Sequence, residues 1–203
     1  MKKLLLILLL VIGSVVYAQE ETLMGQGEIT QGGFGAPVIK FTSINKQFGV
    51  LVGGKGGWII DHTIILGAGG YGLANNVEVV DIGDGRGPFL NFGYGGFDME
   101  YIINWGKVVH TSLNLLIGGG AVSHRNNYIV LDWNLNTSNF GTINTDNFFI
   151  AEPEINIEVN IVKFFRINIG ASYRIISGVN LDGLRNSDFS GPSVVMTLKF
   201  GKF

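Results

Sequence analysis

His110-Thr111-Ser112 is the pairing in this sequence best suited to chemistry. On a β-strand, residues i and i+2 share a face, which sets the imidazole and the hydroxyl side by side. A base within hydrogen-bond reach of a hydroxyl begins nucleophilic ester hydrolysis, and a third group must orient the base. The i, i+2 spacing meets the first need. The tripeptide is too short to carry specificity by itself, and it lies beside a turn at Asn104–Lys107. No catalytic residue is therefore expected. His62 falls in a tight turn and His124 has no serine–acid pairing nearby, so hydrogen-bonded surface roles are expected for both.

Two acidic, glycine-containing stretches could offer hard oxygens to calcium: Asp81–Gly85 and Asp182–Asp188. Neither has the twelve-residue EF-hand spacing. Turn chemistry accounts for Gly, Asp and Asn there equally well, and no metal or other cofactor is expected.

The elements that would hold these groups follow from the chain's ends and periodicity. Lys2 and Lys3 precede an apolar run, Leu4–Ile12, then Val16 and Ala18 before a polar segment. That is the form of a secretory signal peptide over residues 1–18, too short in its apolar run for the roughly 20 residues of a membrane helix. No later run is long and apolar enough to be one. The chain has no cysteine, so a disulfide framework is excluded. A net charge of −2 without a basic stripe leaves no footprint for nucleic acid. With 31 glycines, 11% aromatic and only 15% charged residues, the profile fits apolar residues dispersed in alternation along strands.

Eight β-like runs emerge: Ala36–Ser43, Phe48–Ile60, Thr63–Leu73, Pro88–Ile103, Val108–Val122, Asn147–Ile161, Phe165–Ile176 and Ser193–Phe200. Residues 19–35 stay open as a tail, an extra strand or a plug. Tight links at Asp61-His62, Asn104–Lys107 and Lys163-Phe164 alternate with long polar segments, Ala74–Gly87, Ser123–Asp146 and Ser177–Pro192. The connection near Ile44–Gln47 is the one short member of the long set. Such alternation marks an all-β, eight-stranded antiparallel up-and-down transmembrane barrel, with long loops outside and both chain ends in the periplasm. Within the sixth run Phe149, Ala151, Pro153, Ile155, Ile157 and Val159 oppose Glu152, Glu154, Asn156, Glu158 and Asn160.

With the apolar faces outward, the polar faces enter a lumen just wide enough for side chains to fill. Lys55, Asp98, Glu100, Glu152, Glu154, Glu158, Arg166, Arg174 and Lys199 then form an internal charge network. Both signs occur in similar numbers, so a salt-bridged plug is favoured over an ion path. Pairing Val162 with Arg166 across the sixth turn sets Arg174 opposite Glu154. Trp58, Tyr101, Trp105, Phe164, Phe165 and Phe200 gather near the short turns as an interfacial girdle. Tyr128, Trp133 and Phe140 in the middle long loop are candidates for ligand contact. The same stretch also reads as a strand extended beyond the membrane.

The signal peptide, the eight runs and a last strand reading Val194, Met196, Leu198, Phe200 resemble the small outer-membrane barrels, the OmpX-like proteins and the OmpA transmembrane domain. The resemblance implies an outer-membrane barrel in contact with lipid, delivered by the barrel-insertion machinery through its C-terminal strand. Phe200 and the out-of-phase Phe203 both stand as the aromatic that machinery reads. The H-x-S at His110 resembles that of the lipid A deacylases. A monomer is expected, non-enzymatic and with a filled lumen, acting structurally or through its loops. The alternatives are a narrow pore or transporter of small hydrophobic molecules, and a lipid-modifying enzyme.

Overall fold

The computed structural model describes residues 30–79, 89–125, 142–181 and 183–203. Eight strands follow one another: β1 Gln31–Ile44, β2 Gln47–Ile60, β3 Ile64–Leu73, β4 Phe89–Ile103, β5 Val109–Arg125, β6 Thr142–Val162, β7 Phe165–Ser177 and β8 Gly191–Lys202, with a short helix α1 at Asn186–Phe189. Each strand pairs antiparallel with the next, and β8 returns to β1 to close the barrel. Closure leaves no strand edge unpaired, the general solution to the edge problem of a sheet. Strand β1 begins at Gln31, so the barrel includes residues 31–35, ahead of the boundary at Ala36 drawn from the sequence.

Local chemistry makes the turns. Asn45 and Lys46 have φ of 49° and 62°, and Asp61 and His62 have φ of 49° and 56°. Two successive positive φ values give turns whose twist matches the strands they join, and Asn and Asp tolerate that region better than most residues. The long connections lie at the opposite end from the turns at residues 61–63, 104–108 and 163–164.

Period-2 alternation sorts every strand into two faces. In β1 Ala36, Val38, Lys40, Thr42 and Ile44 are buried, while Ile39 and Phe41 are exposed at 40% and 43%. Along β6 Glu152, Glu154, Asn156 and Glu158 are buried and Phe149, Ile155, Ile157 and Ile161 are exposed. The barrel is thus polar within its middle and apolar on its outer wall, the inverse of a soluble barrel.

The lumen has three layers. At the loop end Phe92 stacks on Phe148 and Phe189, with ring centroids 5.2 and 5.3 Å apart. Val77, Val179, Leu181 and Leu184 from the long connections join this apolar cluster. Gly120 makes room for it, because a Cβ there would meet the Phe148 ring at 2.5 Å. At the turn end Phe34, Ile59, Ile65 and Ile102 form a smaller cluster against Phe203. The charged residues lie between the two.

Candidate functional site

Nine of ten buried charged side chains among the described residues form one connected array. Signs alternate along it. Glu152 accepts from Lys40 Nζ at 2.9 Å, and Lys40 also faces Glu154 at 3.5 Å. Lys55 lies 3.7 Å from Glu154, 3.5 Å from Glu100 and 3.8 Å from Asp98. Lys199 bridges Glu100 at 2.5 Å and Glu158 at 2.7 Å. Arg166 closes the series on Glu158 at 2.8 Å.

The ten buried charges comprise five cations (Lys40, Lys55, Arg166, Arg174, Lys199) and five carboxylates (Asp98, Glu100, Glu152, Glu154, Glu158). Neutral donors take up several of the carboxylate oxygens, while Asp98 Oδ1 has no hydrogen-bond partner among the described residues. Tyr94 and Ser172 donate to Glu152 at 2.7 and 2.6 Å, Asn114 to Asp98 at 2.9 Å, and Asn156 to Glu154 at 2.9 Å. Buried ions hold together only when geometry and extra hydrogen bonds offset their desolvation, and this array supplies both. The rings of Tyr71 and Tyr94 mark its border with the apolar layer, and the Lys40 ammonium sits 4.0 Å from the Tyr71 ring centroid.

The structure brings together Lys55, Asp98, Glu100, Glu152, Glu154, Glu158, Arg166 and Lys199. It adds Lys40, which the sequence reading missed. The signal was present: Lys40 alternates with the outward Ile39 and Phe41, so it belongs to the inner set.

Arg174 corrects the expected pairing. The β6–β7 turn joins Val162 to Phe165, and a register shift at residues 160–162 sets Asn160 opposite Arg166. Glu154 consequently faces Ser172, two residues short of Arg174. Fully buried Arg174 makes no salt bridge among the described residues. Instead it donates to the Phe189 carbonyl at 3.1 Å, Ser193 Oγ at 3.1 Å and Thr42 Oγ1 at 2.9 Å. Its role is to hold helix α1 over the loop end of the barrel.

His110 and Ser112 both point into the lumen and are buried. The two ring nitrogens of His110 face the Lys107 carbonyl at 3.1 Å and Glu158 at 3.2 Å. Ser112 Oγ has no hydrogen-bond partner among the described residues. The imidazole is thus committed to other partners, and the serine is fully buried.

Of the aromatic set, Trp58, Tyr101, Trp105, Phe164 and Phe200 are exposed on the outer wall and turns, and Phe165 stacks on Phe200 at 4.7 Å. Trp105 stacks on His62 at 4.3 Å. Phe203 turns inward, its ring 3.9 Å from the Arg166 guanidinium carbon. Tyr128, Trp133 and Phe140 lie outside the described residues, as do residues 1–29, Asp81–Gly85 and Asp182. Asn45 ties the loop end together. Its amide nitrogen reaches the carbonyls of Glu78 and Val79 at 2.8 and 2.9 Å, and its backbone N–H donates to the Asp188 carbonyl at 2.6 Å.

Strand count, closure and strand order place this architecture among solved barrels. The fold is that of the small eight-stranded outer-membrane barrels. The chain is similar to the Neisserial surface protein A (NspA), with a TM-score of 0.55 at 11% identity over 86% of this chain and 97% of that one. It is similar also to the N-terminal β-barrel domain of Pseudomonas aeruginosa OprF, with a TM-score of 0.53 at 10% identity over 86% and 99%. A third is Ail, the attachment invasion locus protein of Yersinia pestis, solved with a heparin analogue, with a TM-score of 0.50 at 10% identity over 84% and 97%. The sequence matches no protein-family model and no curated protein.

Proposed function

We propose that the protein is a non-enzymatic outer-membrane barrel with a closed lumen, acting through its extracellular end and its place in the membrane. The observation that carries this reading is the lumen itself. A self-neutralised charge array fills its middle, between apolar clusters at both ends. An eight-stranded barrel has no spare width around such side chains. The outer wall is apolar between the aromatics of the turns and the loop end, as a membrane span requires. In this orientation the turns at residues 61–63, 104–108 and 163–164 face the periplasm and the long connections face outward. Phe200, on the outer wall of β8, is the aromatic that offers itself to the insertion machinery.

Planar-bilayer recording of the refolded protein tests the closed lumen. The expected result is no conductance above that of the bare bilayer, and steady single-channel steps overturn it. Fractionation tests location. The expected product is a membrane-bound band with heat-modifiable gel mobility, and a soluble periplasmic species overturns the membrane reading. The committed hydrogen bonds of His110 support the non-enzymatic reading. His110→Ala is expected to leave the pattern of lipid A species unchanged, and an altered pattern would restore the lipid-modifying alternative.

A further inference from the structure

Among the described residues, nine buried side-chain polar atoms have no hydrogen-bond partner, and five of them belong to four neighbours. They are Ser112 Oγ, Asn156 Oδ1, Asn168 Oδ1 and Nδ2, and Thr197 Oγ1. All four residues face inward and are at most 1% exposed. The register makes them one strip across the inner wall. Ser112 of β5 lies opposite Asn156 of β6, and Asn156 lies opposite Gly170 of β7. Asn168, two residues before Gly170, lies opposite Thr197 of β8. Direct pairs set Cβ atoms about 5 Å apart and diagonal pairs about 7–8 Å, spacings that a bridging molecule spans. Gly170 alone brings no side chain to the inner face of β7, and Asn156 Oδ1 lies where its Cβ would stand.

Folded interiors meet nearly all of their buried polar atoms. The charged neighbours do not serve these. Glu158, opposite Asn168, is engaged by Lys199, Arg166 and His110, and Glu154 already accepts from Asn156 Nδ2. The atoms themselves select the occupant. The two amide oxygens only accept, Asn168 Nδ2 only donates, and the hydroxyls of Ser112 and Thr197 do both. A cation would suit the oxygens but oppose the Asn168 N–H groups. An anion would be repelled by the amide oxygens and by Glu154 and Glu158, which flank Asn156 on its strand face. A neutral molecule that both donates and accepts meets all five atoms. In a lumen filled by side chains, that molecule must be as small as water.

We propose that Ser112, Asn156, Asn168 and Thr197 form a binding site for ordered water, which links β5, β6, β7 and β8 across the inner wall. The site is distinct from a conducting path, because apolar clusters lie at both ends of the lumen. It goes beyond the proposed function and holds whether or not the barrel stands in a membrane.

A high-resolution crystal structure of the refolded full chain tests it directly. The expected result is solvent density within about 2.7–3.2 Å of the Asn168 amide and of at least one of the two hydroxyls. No density there, or the four side chains closing on one another, overturns the proposal. So does a peak held only by oxygens at about 2.3–2.6 Å, which assigns the site to a metal cation. Urea unfolding of Thr197→Val gives an independent sign. Valine keeps the shape and loses the hydroxyl. If that hydroxyl holds water, the unfolding equilibrium constant should rise about fivefold, the worth of one ordinary hydrogen bond. If the hydroxyl has no partner of any kind, the same change leaves the constant unaltered or lowers it, and either outcome overturns the proposal. Ser112→Ala is the smaller change and should move the constant in the same direction, so it reads the site if Thr197→Val does not refold. Heat-modifiable mobility reports folding of each variant.

Discussion

The apolar layer at the loop end and the charged layer below it occupy the same narrow lumen by opposite means. Above, Phe92, Phe148 and Phe189 fill space with stacked rings, and the side chains that complete the cluster come from connections as well as strands. Below, every ion of the nine-membered array sits against a partner of opposite sign, and most oxygens that remain are met by Tyr94, Ser172, Asn114 or Asn156. The apolar layer depends on volume, because close-packed side chains lose contacts wherever a gap opens. The charged layer depends on identity, because removing one partner strands another charge in a low-dielectric interior.

Substitutions can sharpen or break this contrast. The largest effect is expected for Glu158→Gln, which keeps the shape but leaves Lys199, Arg166 and His110 around an uncharged group. Losing one member of a buried pair costs about 3–5 kcal/mol, measurable by urea unfolding in lipid vesicles. A loss below about 1 kcal/mol would mean that the layer tolerates unpaired charge.

In the apolar layer Phe92→Ala is expected to cost about 3 kcal/mol through the cavity it leaves. Phe92→Leu, which restores much of the volume, should cost about 1 kcal/mol. Equal losses for the two would show that ring stacking, rather than volume, governs this layer. Arg174→Met removes the donors that anchor α1 and is expected to cost about 1–2 kcal/mol. Its clearer signature is faster proteolysis within residues 178–190, since Arg174 holds Phe189 and the top of β8. Lys46→Gly lies outside both layers and relieves a positive φ. It should stabilise by a few tenths to about 1 kcal/mol and leave the contrast between layers unaltered.

Much of the architecture is legible along the sequence. Alternation in Phe149–Val159 assigns each residue of β6 to a face without knowledge of any neighbour, because side chains of a strand point to opposite sides by backbone geometry alone. Alternating long and short connections give the strand count and the up-and-down order. The start of β1 at Gln31 is less legible, since Gly32, Gly33 and Gly35 interrupt the apolar pattern that marks a strand. Helix α1 has no signature at four residues, and the burial of Val77, Leu181 and Leu184 was hidden because connections without periodicity carry no mark of which way they fold.

The ion pairs divide in the same way. The charge of Lys55, Glu100 or Glu158 and the face it occupies were settled locally. Which cation meets which carboxylate was not: Lys40 and Glu152 lie 112 residues apart, and Lys199 and Glu100 lie 99 apart. The register shift at residues 160–162 moved Glu154 away from Arg174, and no strand pattern announces it. The sequence by itself determined two-faced strands, their number and their order, since these follow from period-2 geometry and turn chemistry. Only the closed barrel decided the partners inside, because turn shape, bulges and the return of β8 to β1 set the register, and the register sets every contact across the lumen.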